Sequence, residues 1–216
     1  MRLKHLGAGF LVVLLSVVAL PSAASAATIS LTAVSGNLYQ QTVQNPCIFT
    51  NPSCQQPAGF NSTALPVGGA VNGYDAFVSY TAGQLNTLLA GGSLQLGLDI
   101  NQASGQPAQT LSLFTMAIGG VVTDTFSFGG AGNVPAGNNG NGYADYLLSN
   151  FTSIAGLPAN TVIQFHFVFN NANDGTENVF LISGPGTPTP VPEPATMLLL
   201  GTGLLAAARA RRKKVA

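Results

Sequence analysis

Two stretches carry oxygen ligands at near-alternating positions: Asn139-Gly140-Asn141-Gly142-Tyr143-Ala144-Asp145 and Asn171-Ala172-Asn173-Asp174-Gly175-Thr176-Glu177. Carboxylates and amides spaced this way can hold a calcium ion, as in loops of the EF-hand type. Asn139, Asn141, Asp145, Asn173, Asp174 and Glu177 are therefore the candidate metal ligands, and calcium is the one cofactor that these residues suggest. Both stretches depart from the calcium loop. Amides stand where carboxylates are expected in the first, and neither has the full-length loop with a bidentate Glu at its end. The alternative is that Asn, Asp and Gly simply supply turns.

Asp99 and Asp124 fall on strand-like segments, and if they faced one groove they would make the acid pair of a glycoside hydrolase. Nothing in the sequence brings them together, and carboxylates on the polar faces of strands are commoner than catalytic pairs. Tyr74 beside Asp75 and Tyr143 near Asp145 suit a sugar platform or the edge of a β core. A Ser, His, acid triad needs a general base, and residues 27–190 offer only His166, set between Phe165 and Phe167. That setting favours a satisfied, partly buried imidazole. Cys47 and Cys54 are the only cysteines, and in an exported chain they read as a disulfide closing a small turn-rich loop. A metal site needs more ligands than two thiols.

The elements that must position these residues are mostly strands. Leu94, Leu96, Leu98 and Ile100 alternate with polar or small residues, and Ile163, Phe165, Phe167 and Phe169 share one face of residues 161–169. Val162 and Val168 on the other face mark that segment as central in its sheet. Further strands are expected over residues 28–34, 75–80, 111–118, 121–128 and 178–183, with Gly119-Gly120 as a hairpin turn. Thr81 as cap, Leu85, Leu88 and Leu89 at helical spacing, and Gly91-Gly92 as stop predict one short helix. Residues 143–151 fit a helical turn or a strand, and a second short helix is expected there. Residues 129–142 read as a flexible Gly-rich loop. The chain is thus expected to be mainly β, with about seven to nine strands in an antiparallel β-sandwich or jelly-roll-like domain over residues 27–183.

Charge narrows the function classes. Every Lys and Arg lies in the first four residues or from Arg209 onward, so residues 27–190 hold no basic residue and carry Asp75, Asp99, Asp124, Asp145, Asp174 and Glu177. Nucleic acids are excluded as partners on electrostatic grounds, since phosphate contacts by Lys and Arg supply most of that affinity. A lysine-bearing phosphate loop is excluded for the same reason.

The two ends read as addresses. Arg2 and Lys4, an apolar run from Leu6 to Leu20, and Ala24-Ser25-Ala26 form a signal helix with a cleavage site, making residues 1–26 a signal peptide for the secretion machinery and signal peptidase. Residues 184–190 are a Pro/Gly linker. Val191-Pro192-Glu193-Pro194 follows, then an uncharged run over residues 195–208, then Arg209, Arg211, Arg212, Lys213 and Lys214. At 1.5 Å per residue the run covers about 21 Å of a bilayer core of about 30 Å, a short transmembrane helix that snorkelling basic residues lengthen. The basic cluster places that end in the cytoplasm.

In order and spacing, residues 191–216 resemble the PEP-CTERM sorting signal of Gram-negative bacteria, whose pattern is V-P-E-P, a short membrane span and an Arg-rich end. The resemblance implies recognition by exosortase, a membrane transpeptidase-like enzyme. It also implies transient anchoring and then release to the cell surface or extracellular matrix. The resulting expectation is a non-enzymatic exported protein, with exopolysaccharide a possible partner. The alternative is a carbohydrate-binding, lectin-like module assisted by calcium.

Overall fold

The computed structural model describes residues 26–50, 54–65, 73–135, 138–172, 175 and 177–185, and of residues 138 and 139 the backbone alone. The expected signal helix and the sorting tail with its membrane helix lie outside the described residues. Among those described, no helix is long and apolar enough to cross a membrane.

The strands, in chain order, are β1 (Ala27–Thr28), β2 (Ser30–Ala33), β3 (Cys47–Thr50), β4 (Thr63–Ala64), β5 (Gly73–Thr81), β6 (Ser93–Asp99) and β7 (Asn101–Gln102). They continue with β8 (Thr110–Ile118), β9 (Val121–Ser127), β10 (Asn138–Asn139), β11 (Tyr146–Ser149), β12 (Val162–Asn170) and β13 (Asn178–Gly184). Among the described residues one helix, α1 (Ala82–Leu89), joins β5 to β6. The first sheet has the order β1-β9-β8-β12-β5 and the second β2-β11-β6-β13-β3-β4, while β7 and β10 form a short ribbon.

β12 is interior, pairing with β5 on one side and β8 on the other. Its four aromatic and aliphatic residues, Ile163, Phe165, Phe167 and Phe169, are fully buried on one face, as period-two patterning requires. The second sheet packs on this face: Phe49 of β3 stacks on Phe167 at 5.4 Å and meets Phe114 of β8 edge-on at 6.5 Å. Aromatic pairs in these geometries add to the area they bury.

Local chemistry sets the turns. Gly119 and Gly120 both have positive φ, 58° and 85°, so the β8–β9 hairpin closes in two residues with Ile118 opposite Val121. Thr81 caps α1 by accepting the Gln84 N–H, and Gln84 returns the bond to the Thr81 N–H. The helix ends at Ala90 in the left-handed region, with Gly91 also at positive φ.

Three expectations are corrected. The sheets are mixed rather than purely antiparallel, because β1 runs parallel to β9 and β4 parallel to β3 at sheet edges. The second short helix expected over residues 143–151 is β11, which pairs with both β2 and β6. The Gly-rich stretch 129–142 is tied down over its described part. Gly132 N–H donates to Thr110 Oγ1, the Asn133 side chain pairs with both backbone groups of Leu111, and Val134 is buried.

Candidate functional site

Leu94, Leu96 and Leu98 of β6 point into the core between the sheets, which leaves Gly97 and Asp99 on the outer face. A second apolar cluster covers that face: Cys47, Ala144, Phe180 and Ile182, with Tyr39, Cys54 and Leu147 packed against it. Gly97 is required there, since a Cβ would stand 2.6 Å from the Phe180 ring. The Cys47–Cys54 disulfide fastens this cover. Closing so short a loop stabilises the fold by on the order of 2 kcal/mol.

Asp99 is buried at the end of this cluster, 1% exposed. Its Oδ2 accepts the Gly142 N–H at 2.9 Å, and Asp145 Oδ2 in return accepts the Ile100 N–H at 2.8 Å. The two carboxylates therefore stitch the 139–145 turn to the end of β6. Asn178 stands opposite Asp99 across the β6–β13 pair, and the Thr50 hydroxyl donates to Asn178 Oδ1 at 2.5 Å. Asp99 Oδ1 is buried and makes no hydrogen bond. Burial pushes the Asp99 carboxyl up to about 6 and the charge of Asp145 pushes the same way, while the Gly142 N–H and the nearby Asn178 amide pull it back.

Glu177 belongs to a separate, inward network. Gln109 Nε2 donates to Glu177 Oε1 and to Gln102 Oε1, and Gln102 Nε2 donates to the Pro107 carbonyl at 3.0 Å. Tyr74 closes the group by donating to the Gly175 carbonyl at 3.0 Å. Burial raises the Glu177 carboxyl to about 7, against the pull of the Gln109 hydrogen bond.

Of the candidate metal ligands, Asp145 and Glu177 fall in different networks. Asp145 lies near Asp99, a residue considered above with Asp124 as an acid pair. The Asn141 side chain accepts the Tyr143 N–H at 3.0 Å, a turn-building role, and the Asn139 backbone pairs with Asn101. Asn173 and Asp174 lie outside the described residues. Among the described residues no three His, Cys, Asp or Glu side chains form a group able to hold a metal ion.

Asp99 and Asp124 do not share a groove. Asp124 sits on β9 in the first sheet, fully buried, where Oδ1 accepts the N–H and hydroxyl of Thr152 at 2.7 and 2.9 Å and Oδ2 accepts the Thr123 hydroxyl at 2.7 Å. An acid so enclosed cannot reach a glycosidic oxygen. His166, on the outer face of β12, bonds Asp75 Oδ1 through Nε2 at 2.7 Å and stacks on the half-exposed Phe77 ring at 3.9 Å. One hollow, beside α1, is lined by Phe60, Gln84, Thr87 and Leu88 and contains none of the acids.

These features define a mainly β domain of two facing sheets, closed by a disulfide on one outer face and built without a basic residue. The particular family signal lies after the domain: residues 190–213 match the model of the PEP-CTERM protein-sorting motif. The chain carries that motif, which indicates a protein that is exported, transiently membrane-anchored and sorted by exosortase. No curated protein and no solved structure matches the chain.

Proposed function

We propose that the chain is a non-enzymatic exported β protein, cut by exosortase at Pro192-Glu193-Pro194 and delivered to the outer surface or its polysaccharide matrix. The match at residues 190–213 carries this reading. The burial of Asp99 and Asp124 and their commitment to backbone and hydroxyl donors support a structural use of these acids. A domain without Lys or Arg suits a neutral or amide-rich surrounding better than a polyanion. Expression in cells with and without exosortase, followed by membrane fractionation, tests the sorting. Release from the membrane only where exosortase is present is expected, and equal retention in both strains would contradict it.

A second reading, a carbohydrate-binding module, is favoured by one observation. Phe77 presents about half its surface to solvent on the outer sheet face, beside hydroxyl and amide side chains such as Ser79 and Gln164. Aromatic rings flanked by neutral hydrogen-bonding groups suit sugar faces. Loss of polysaccharide retention in Phe77→Ala would support it, and unchanged retention would remove it.

A further inference from the structure

We propose that the outer face of β5 and β12 binds an uncharged glycan, with Phe77 as the platform for a pyranose ring and Asp75, held by His166, as the acceptor for its hydroxyls. This rests on the carbohydrate-binding reading above and adds the ligand class and the residues that select it. Asp75, Phe77 and Ser79 alternate with buried or half-buried neighbours along β5, so the three share the outer face at steps of about 6.8 Å. Phe77 stacks on His166, its cross-strand partner, at 3.9 Å, which fixes the ring. Pairing within the sheet accounts for one face of that ring, yet 52% of the residue stays exposed.

The polar groups on either side of the ring are held before a ligand arrives. Asp75 Oδ1 accepts from His166 Nε2 at 2.7 Å although the Asp75 side chain is 70% exposed. Its Oδ2, which that bond leaves over, can accept from a hydroxyl. On the other side Gln164 Nε2 donates to Ser79 Oγ at 3.4 Å, which leaves the Ser79 hydroxyl hydrogen to donate. Sugar hydroxyls both donate and accept, and the C–H face of a pyranose packs on an aromatic ring. An acceptor, a ring and a donor in one row match those needs, and side chains already held lower the entropy cost of binding. Charge decides the class of glycan. Among the described residues Asp75 is the one exposed acid on the strands of the first sheet, since Asp124 is buried, and residues 27–190 contain no Lys or Arg. A uronic acid or sulfated sugar would meet a like charge with no Lys or Arg to offset it.

Affinity electrophoresis of the full-length chain in a polyoxyethylene detergent, through native gels cast with dextran, a β-glucan, a galactomannan or alginate, tests the site. Retardation is expected in at least one of the three neutral polymers and not in alginate, a polyuronate. Phe77→Ala is expected to abolish it, Asp75→Asn to weaken it about tenfold or more, and Leu38→Ala, exposed and outside both sheets, to leave it unchanged. Asp75 and Phe77 stand on the solvent side of the sheet, so both variants are expected to fold. No retardation in any neutral gel, or retardation that survives Phe77→Ala, removes the carbohydrate reading and the site with it. Retardation lost in Phe77→Ala but untouched by Asp75→Asn, or equal in alginate, leaves the carbohydrate reading standing and overturns the choice of an uncharged ligand held by Asp75.

Discussion

Asp124, Glu177 and Asp99 are buried in three different ways, and each makes its own prediction. Asp124 satisfies three donors from Thr152 and Thr123, so Asp124→Ala leaves the Thr152 N–H without its acceptor and costs about 1 to 3 kcal/mol in denaturant unfolding. An unchanged midpoint would show that the contact is idle. Glu177 and Asp99 are raised by burial to about 7 and about 6. Groups raised in the folded state contribute stability that is complete below their unfolded values and is lost as pH rises through the folded ones. The melting temperature is therefore expected to fall between about pH 4 and pH 7, and Glu177→Gln is expected to flatten the upper part of that decline. A melting temperature that climbs over this window would contradict the burial account. The sequence showed Asp145 as a ligand type but not its companion, because 43 residues separate Asp99 from Gly142 and only strand pairing joins them. Glu177 was visible as an acid near Asn and Gly; its partners Gln102 and Gln109 gave no signal, since amides in polar, turn-rich sequence are ordinary surface residues until a fold buries them.

At the scale of elements, patterns with a single periodicity were legible. β12 and β6 follow period-two alternation, and α1 has its cap, its leucine spacing and its stop within one short window. Thr81→Ala is expected to cost about 1 kcal/mol through loss of the cap, measured by thermal or denaturant unfolding; no loss would mean that tertiary packing alone holds the helix. β11 was not legible. Tyr146, Leu147 and Phe151 fit both periods, and the strand exists because β2 and β6 flank it, with Leu148 in the main core and Leu147 against the second cluster. β3 was hidden for a related reason. Pro46 and the Asn- and Pro-rich surroundings read as turn, yet Cys47–Thr50 is buried on both faces, Phe49 in the main core and Cys47 in the second. A covered outer face removes the polar alternation that identifies a half-buried strand. Gly97→Val tests that cover, since the added side chain must displace Phe180. Destabilisation of about 1 to 3 kcal/mol is expected, and a neutral effect would mean that the second cluster is loosely packed.

For the whole molecule, the division of charge joins the domain to its destination. Basic residues occupy the two ends, and residues 27–190 have none. The sorting motif at residues 190–213 begins as the Pro- and Gly-containing segment after β13 runs out. Cutting at Pro192-Glu193-Pro194 would remove every basic residue of the C-terminal end and leave an acidic domain in which Asp99, Asp124 and Glu177 are buried and Asp75 is paired with His166 on the surface. The most direct test is the intact mass of the mature protein from cells with and without exosortase. A species starting near Ala27 and lacking residues 195–216 only in the exosortase-positive cells is predicted; one that keeps its C-terminal residues in both would contradict the account.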